Sequence, residues 1–176
     1  IVGQKKIGHT GTLDPEAEGV LPVCLGRATK VCDMLTDKDK TYETVLLLGI
    51  STDTQDITGK VLSERSPDDP GLPGGAVTEE KAEACISGFV GEYDQIPPMY
   101  SALKVGGKKL YELAREGRTI ERKSRKVMIY GIKIREIDLP RIRMEVKCSK
   151  GTYIRTLCHD IGEKLGCGGC MEELLR

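Results

Sequence analysis

At 176 residues the chain has the length of about one ordinary domain, so a reading that needs two full-sized folded units is strained from the outset. With 39% hydrophobic and 31% charged residues it can build a core, and it lacks the low-hydrophobicity, high-net-charge signature of disorder. Twenty-seven basic residues balance 27 acidic ones, which excludes a global charge suited to nucleic acid. No run approaches the roughly 18 apolar residues of a membrane helix, so a membrane span is excluded. 

The chain opens at Ile1 with neither an initiator Met nor a charged-then-apolar leader, and reads as an interior piece whose start lies upstream. Gly19 to Gly26 is apolar and closes on a glycine, which predicts a buried strand, and Ala28 to Leu35 spaces Val31, Met34 and Leu35 along one helical face. Thr41 to Ile50, rich in Thr, Val, Tyr and Leu, predicts a strand. Ser66 to Gly75, dense in Pro, Gly and Asp, predicts a mobile surface loop. Thr78 with Glu80 and Lys81 opens a helix to about Phe89, with early acids suited to the helix dipole.

Gly106-Gly107 interrupts a strand-like stretch, and Lys109 to Glu116 predicts a short helix closed at Gly117. Val127 to Ile137 and Ile142 to Cys148 read as paired strands bent at Asp138-Leu139-Pro140. From Thr152, the spacing of Ile154, Leu157, Ile161 and Leu165 gives a helix with one apolar stripe. Strands and helices intermix without regular alternation, which predicts an α+β domain on a mixed or largely antiparallel sheet flanked by helices.

The neutral average conceals a division. Lys104 to Arg135 holds eleven basic residues against three acidic, whereas Asp53 to Asp94 holds ten acidic against three basic. Local potential steers an encounter, so this asymmetry reads either as one face for a polyanion or as two solvated surfaces. Seven cysteines (Cys24, Cys32, Cys85, Cys148, Cys158, Cys167, Cys170), an odd number scattered through core-like sequence, suit a reducing cytosol better than a disulfide framework.

The most unusual stretch is Gly8-His9-Thr10-Gly11-Thr12-Leu13-Asp14-Pro15. Pro15 forces its predecessor out of helical conformation, so this loop rigidly presents the Asp14 carboxylate; the plainer reading is a turn in which Asp14 caps local amides. A buried carboxylate needs a partner, and a bidentate Arg is the usual one. Arg155, after Lys150-Gly151-Thr152-Tyr153-Ile154 where a strand passes into a helix, is a candidate, against a surface position on that helix. Tyr42 and Tyr153 are among the few aromatics on which a base could stack, or else half-buried strand tyrosines.

Together with Gly19-Val20-Leu21-Pro22 and Gly26-Arg27-Ala28-Thr29-Lys30, the Asp14 loop closely resembles the catalytic segment of the bacterial tRNA pseudouridine-55 synthases, the TruB family. Asp39-Lys40-Thr41-Tyr42, Thr52-Asp53-Thr54-Gln55-Asp56, Gln95-Ile96-Pro97-Pro98-Met99-Tyr100-Ser101-Ala102-Leu103-Lys104 and Cys148-Ser149-Lys150-Gly151-Thr152-Tyr153-Ile154-Arg155 follow in the family's order. The Thr-Asp-Thr and Gln-Ile-Pro-Pro-Met-Tyr segments resemble the stand-alone bacterial branch rather than the synthases of RNA-guided particles.

The resemblance implies a pseudouridine synthase catalytic fold over residues 1–176, with a family N-terminal segment and any C-terminal PUA domain absent. It implies Asp14 as catalytic carboxylate, Tyr42 packing on the target base and Arg155 as charged neighbour. Tyr153 and Leu174 would line the uracil pocket, and His9 would fill the space the flipped base vacates. The implied activity is isomerisation of a T-loop uridine in the tRNA T-arm stem-loop, with no cofactor, no metal, no membrane and no obligate protein partner, in the cytoplasm. Lys104, Lys108, Lys109, Arg115, Arg118 and the cluster from Arg122 to Lys126 would track RNA phosphates. 

Cys167-Gly168-Gly169-Cys170 departs from the family pattern and reads as a redox pair or half a metal site, although zinc would want a second ligand pair. Gly8-His9-Thr10-Gly11 and Lys147-Cys148-Ser149-Lys150 faintly resemble the signatures of nucleotidyl-transferring synthetases, whose second histidine is missing here. The non-catalytic alternative is an RNA-binding or RNA-folding module that keeps the pocket without the activity.

Overall fold

A computed structural model describes residues 2–176. A short hairpin, β1 (Ile7–His9) and β2 (Val23–Leu25), is followed by a 3-10 turn (Gly26–Val31) and α1 (Cys32–Thr36). Then come β3 (Lys40–Leu48), β4 (Ile50–Thr52), β5 (Val61–Glu64), α2 (Glu79–Ser87) and β6 (Gly91–Gln95). The hairpin β7 (Lys104–Val105) and β8 (Lys108–Lys109) leads into α3 (Leu110–Arg115). The long strands β9 (Arg125–Asp138) and β10 (Arg141–Cys148), then α4 (Ile154–Leu165) and β11 (Gly169–Leu175), complete the order. 

Five strands form one sheet in the order β11-β3-β10-β9-β6, every neighbouring pair antiparallel. The expected α+β class on a largely antiparallel sheet is the one that forms. Alternation along the central strands sorts the two faces. Register sets Ile142 opposite Leu46 and Met144 opposite Thr44. These four, with Val146, are buried in the layer that Ile86 of α2 and Leu157 and Ile161 of α4 cover. The opposite face carries Glu43, Arg143 and Glu145, joined in the ion pairs Arg143–Glu43 (3.3 Å) and Arg135–Glu145 (2.5 Å). Exposed pairs of this kind contribute about 0–1 kcal/mol each, against about 1.5–3 kcal/mol for a fully buried Leu or Ile, so the helical face holds the fold.

The α4 stripe forms as its spacing predicts, with Ile154, Leu157 and Ile161 buried and Leu165 half-buried. The helix stops at Gly166, whose φ of 84° is left-handed. Gly162 lets α4 touch β11, since a Cβ there would lie 2.2 Å from the Gly169 backbone nitrogen. Thr78 caps α2 by accepting from the Lys81 N–H at 3.3 Å.

Two expectations are corrected. Gly19 to Gly26 is not a buried strand: only Val23–Leu25 pairs, and Val20 and Val23 are exposed, because the β1–β2 hairpin stands apart from the main sheet with no apolar layer facing it. Ala28 to Leu35 splits into the 3-10 turn and α1, and Val31, Met34 and Leu35 face outward. The loop 66–75 lies at the surface as expected, with Leu72 buried beneath it and an Arg65–Asp69 ion pair of 3.0 Å at its start.

Cys167 and Cys170 are buried thiols at the join of α4 and β11, and burial pushes Cys170 up to about 11. Among the described residues no three His, Cys, Asp or Glu side chains converge to hold a metal ion, and no helix is long and apolar enough to cross a membrane.

Candidate active site

The site grows from two tight turns that the sequence encodes locally. Gly11, at φ 124°, starts the bend after β1, and the Asp14 carbonyl accepts from the Ala17 N–H at 3.0 Å, closing a turn around Pro15. Between β10 and α4, Gly151 takes φ 79° and the Thr152 hydroxyl donates to the Ser149 carbonyl at 2.9 Å. This second turn aims Tyr153 and the first residues of α4 toward the Asp14 loop.

There Arg155 and Asp14 meet, 141 residues apart in sequence. Arg155 Nη2 donates to Asp14 Oδ1 at 3.0 Å, and Nε lies 2.9 Å from Oδ2 at an angle too bent for a hydrogen bond. The guanidinium is 5% exposed and the carboxylate 31%, so the acid reaches the surface while its partner does not. The plainer readings, a capping Asp14 and a surface Arg155, are excluded by this pair.

Arg155 also holds a second acid. Nη1 lies 3.3 Å from Asp56 Oδ2 and 3.2 Å from the Thr54 carbonyl, and Nη2 donates to the Tyr100 carbonyl at 3.0 Å. Asp56 is aimed by its own loop: Oδ1 accepts from the hydroxyls of Thr54 (2.8 Å) and Thr58 (2.6 Å). Gln55, a non-glycine residue at φ 65°, is held by the Thr156 hydroxyl at 2.7 Å. The Thr-Asp-Thr-Gln-Asp segment was legible as a motif, but no role for Asp56 followed from its position. A buried guanidinium spread over two carboxylates is held by the hydrogen bonds of Nη1 and Nη2, while Nε contributes only its charge to Asp14.

Tyr42 of β3 and Tyr153 close the surroundings. Burial pushes both phenols up, and both lie near enough for the Asp14 charge to add to that rise, while Arg176 beside Tyr42 opposes it. Tyr42 lines a cavity of about 380 Å³ whose walls include Gly11, Lys40, Arg125, Lys126, Lys150 and Arg176. A volume of that size suits a small ligand, and the cationic rim suits an anionic one. Lys40, Lys150 and Arg176 went unassigned in the sequence reading, although Lys40 and Lys150 sit within three residues of Tyr42 and Tyr153.

Other candidate residues are more dispersed. His9 is exposed, and its Nδ1–H donates to the Gly11 carbonyl at 3.0 Å. Leu174 is buried in the core, its carbonyl accepts from the Glu18 N–H at 3.0 Å, and its side chain lines a different cleft of about 470 Å³. That cleft carries Glu16, Glu18, Glu43, Glu172 and Glu173, a wall that repels phosphate. Lys104, Lys108 and Lys126 are exposed, Lys126 paired with Glu92 at 2.6 Å. Lys109 donates to the Tyr111 hydroxyl at 3.1 Å, and Arg115 lies 5.3 Å over the same ring. Arg122 is half-buried and donates to the Pro97 carbonyl at 3.1 Å, so part of its guanidinium is committed to the chain itself.

Residues 1–154 match the family model described as TruB family pseudouridylate synthase (N terminal domain). Residues 155–176 match the tRNA pseudouridylate synthase B C-terminal domain. The junction falls in the first turn of α4, inside a continuous packing unit. Proteins named tRNA pseudouridine synthase B include one from Lachnoclostridium phytofermentans, 58% identical and covering 100% of this chain and 57% of the relative. Another, from Alkaliphilus oremlandii, is 56% identical and covers 99% of this chain and 56% of the relative. The chain thus spans a little over half the length of these curated relatives. Among solved structures, a Cbf5-Nop10-Gar1 complex aligns with TM-score 0.70 at 33% identity, over 98% of this chain and 40% of that one. An H/ACA RNP bound to a substrate RNA containing 2'-deoxyuridine aligns with TM-score 0.66 at 29% identity, over 98% and 38%. With a family model spanning most of its length and relatives above half identical along nearly all of it, the chain belongs to the TruB family of pseudouridylate synthases.

Proposed function

We propose that the protein isomerises a uridine in the T-loop of tRNA to pseudouridine, in the cytoplasm, with Asp14 as the catalytic carboxylate. The observation that carries this reading is the Arg155–Asp14 pair, in which a buried guanidinium fixes a carboxylate that remains partly open, its charge near Tyr42, which walls a cavity with a cationic rim.

The reaction breaks the C1′–N1 bond, turns the uracil over and forms a C1′–C5 bond; C5 loses a proton and N1 gains one. Atoms and electrons balance without any redox partner, so the isomerisation calls for no cofactor. Arg155 holds the carboxylate in one orientation, which keeps it aligned with the ribose while the base is detached. Tyr42 and Tyr153 offer ring faces to the base, and shielding from water favours its recapture over hydrolysis. Extracting the base from its loop costs a few kcal/mol, which Lys40, Arg125, Lys126, Lys150 and Arg176 offset by contacts to backbone phosphate. In this proposal His9 is a loop contact, and Leu174 supports Tyr42 from the core cluster on which that ring packs.

The test is incubation of the protein with an unmodified T-arm stem-loop and detection of pseudouridine by chemical labelling or mass shift after cyanoethylation. The expected result is one pseudouridine at a single T-loop position with the wild type and none with Asp14→Asn, which still binds the RNA. Binding without product in the wild type would favour an RNA-folding module instead.

A further inference from the structure

We propose that Gln95, which lies outside the reacting groups, is a positioning residue for the site: its side-chain amide clamps the peptide backbone of Tyr153 and thereby aims both Tyr153 and Arg155. The inference rests on the functional reading above. Gln95 ends β6 and is 1% exposed. Its Oε1 accepts from the Tyr153 N–H at 2.8 Å and its Nε2 donates to the Tyr153 carbonyl at 3.0 Å. The side chain thus imitates a facing strand, pairing with donor and acceptor of one residue that lies 58 positions away.

Tyr153 is where such a clamp acts most directly. It is the residue before α4, its backbone is extended (φ −101°, ψ 109°), and its own side chain makes no capping hydrogen bond. Its carbonyl already accepts from the Leu157 N–H at 3.1 Å, so the Gln95 amide fills the remaining lone pair and also takes up the Tyr153 N–H. Two hydrogen bonds to one peptide fix its plane, hence the direction of the Tyr153 ring and the start of the helix that carries Arg155. Five residues beyond Gln95, the Tyr100 carbonyl accepts from Arg155 itself. The 95–100 segment therefore grips the start of α4 at two points.

The choice of substitutions follows from the donor-acceptor pattern. Gln95→Met fills similar volume with neither bond. Gln95→Glu retains the acceptor, and when its carboxyl is protonated it regains a donor and matches the native pair. Groups facing position 95 are Tyr93 on its own strand, hydrogen-bonded to Asp160 of α4, and Arg125 directly across on β9, with Arg155 beyond Tyr153.

Single-turnover pseudouridine formation is measured against pH for the wild type and both variants, with RNA affinity measured alongside. Gln95→Met is expected to slow conversion at least about 10-fold with affinity within about 2-fold of wild type, because small misplacements of reacting groups carry large rate costs. Gln95→Glu is expected to be as slow at high pH and to gain relative to wild type as pH falls and its carboxyl takes up a proton. Variants that turn over at the wild-type rate, or a Gln95→Glu profile parallel to wild type, overturn the clamp. An inactive wild type overturns the functional reading instead, and the clamp is then judged by amide hydrogen exchange at Tyr153. Exchange at least about 10-fold faster in Gln95→Met supports it; equal protection in both proteins refutes it.

Discussion

At the scale of single residues, the Arg155–Asp14–Asp56 cluster makes the sharpest demands. Replacing Arg155 by Met strips two partly buried acids of their shared cation, a loss bounded by the about 3–5 kcal/mol that breaking a fully buried pair costs. Urea unfolding of Arg155→Met should show that loss. Arg155→Lys keeps the charge but not the planar fork that reaches Asp14, Asp56 and two carbonyls at once. It should therefore fold better than the Met variant while still slowing pseudouridine formation about 10²-fold or more, a split that single-turnover rates and melting curves read separately. Asp14 and Arg155 were legible in the sequence because an Asp-Pro turn and a strand-to-helix junction are local signals. Asp56 as a second claimant on Arg155 was not, since nothing local specifies a contact across 99 residues. Arg122 shows the converse: a cationic run marked it for solvent, yet the carbonyl of Pro97 takes up part of its guanidinium.

Secondary-structure elements were readable to the extent that their apolar faces had a partner. The α4 stripe and the β9–β10 pair are strongly periodic and formed as expected, whereas the apolar stretch 19–26 found no layer to pack on. β6 and β11 escaped notice because Gly91–Gln95 is short and polar and because Cys167 and Cys170 suggested chemistry where the fold uses them as core. In α4, Leu157→Ala should cost about 2–5 kcal/mol, read from chemical denaturation. Gly162→Ala should destabilise through a different cause, its methyl meeting the Gly169 backbone, and a smaller residue cannot relieve it. Asp160 on the same helix is held above the usual carboxylate range by burial, with Tyr93 bonded to it. An acid that binds its proton more tightly when folded loses stability as pH climbs from 3.8 through its raised native value. The stability of the wild type relative to Asp160→Asn should accordingly shrink across that window; a difference that stays constant with pH would count against the assignment.

For the whole molecule, formal neutrality hides two clefts of opposite sign, one rimmed by Lys40, Arg125, Lys126, Lys150 and Arg176, the other by five glutamates. Reversing Lys126 and Lys150 to Glu should weaken binding of the T-arm and lower the slope of log affinity against log salt by about 2, as two phosphate contacts are lost. The double change Glu172→Lys, Glu173→Lys should leave that slope unchanged or raise it. Filter binding over a salt series distinguishes the two faces. Charge counts along the chain set an acidic 53–94 against a basic 104–135, yet none of the glutamates of the acidic cleft lies in 53–94, and only Arg125 and Lys126 of the cationic rim lie in 104–135. Folding adds Lys40, Lys150 and Arg176 from three distant segments, a grouping that only tertiary structure creates.

Met171 exchanges bonds with Gln55 and Ile57, while Leu174 and Arg176 exchange them with Glu18 and Val20, so the two acid-bearing loops are both laced to one edge strand. That strand acts as a common rail: the spacing between the two acids is set by its length and cannot drift while the rail is intact. Heating should consequently leave no interval in which the sheet persists but the loops wander, and catalytic competence should vanish at the same temperature as the strand signal in circular dichroism.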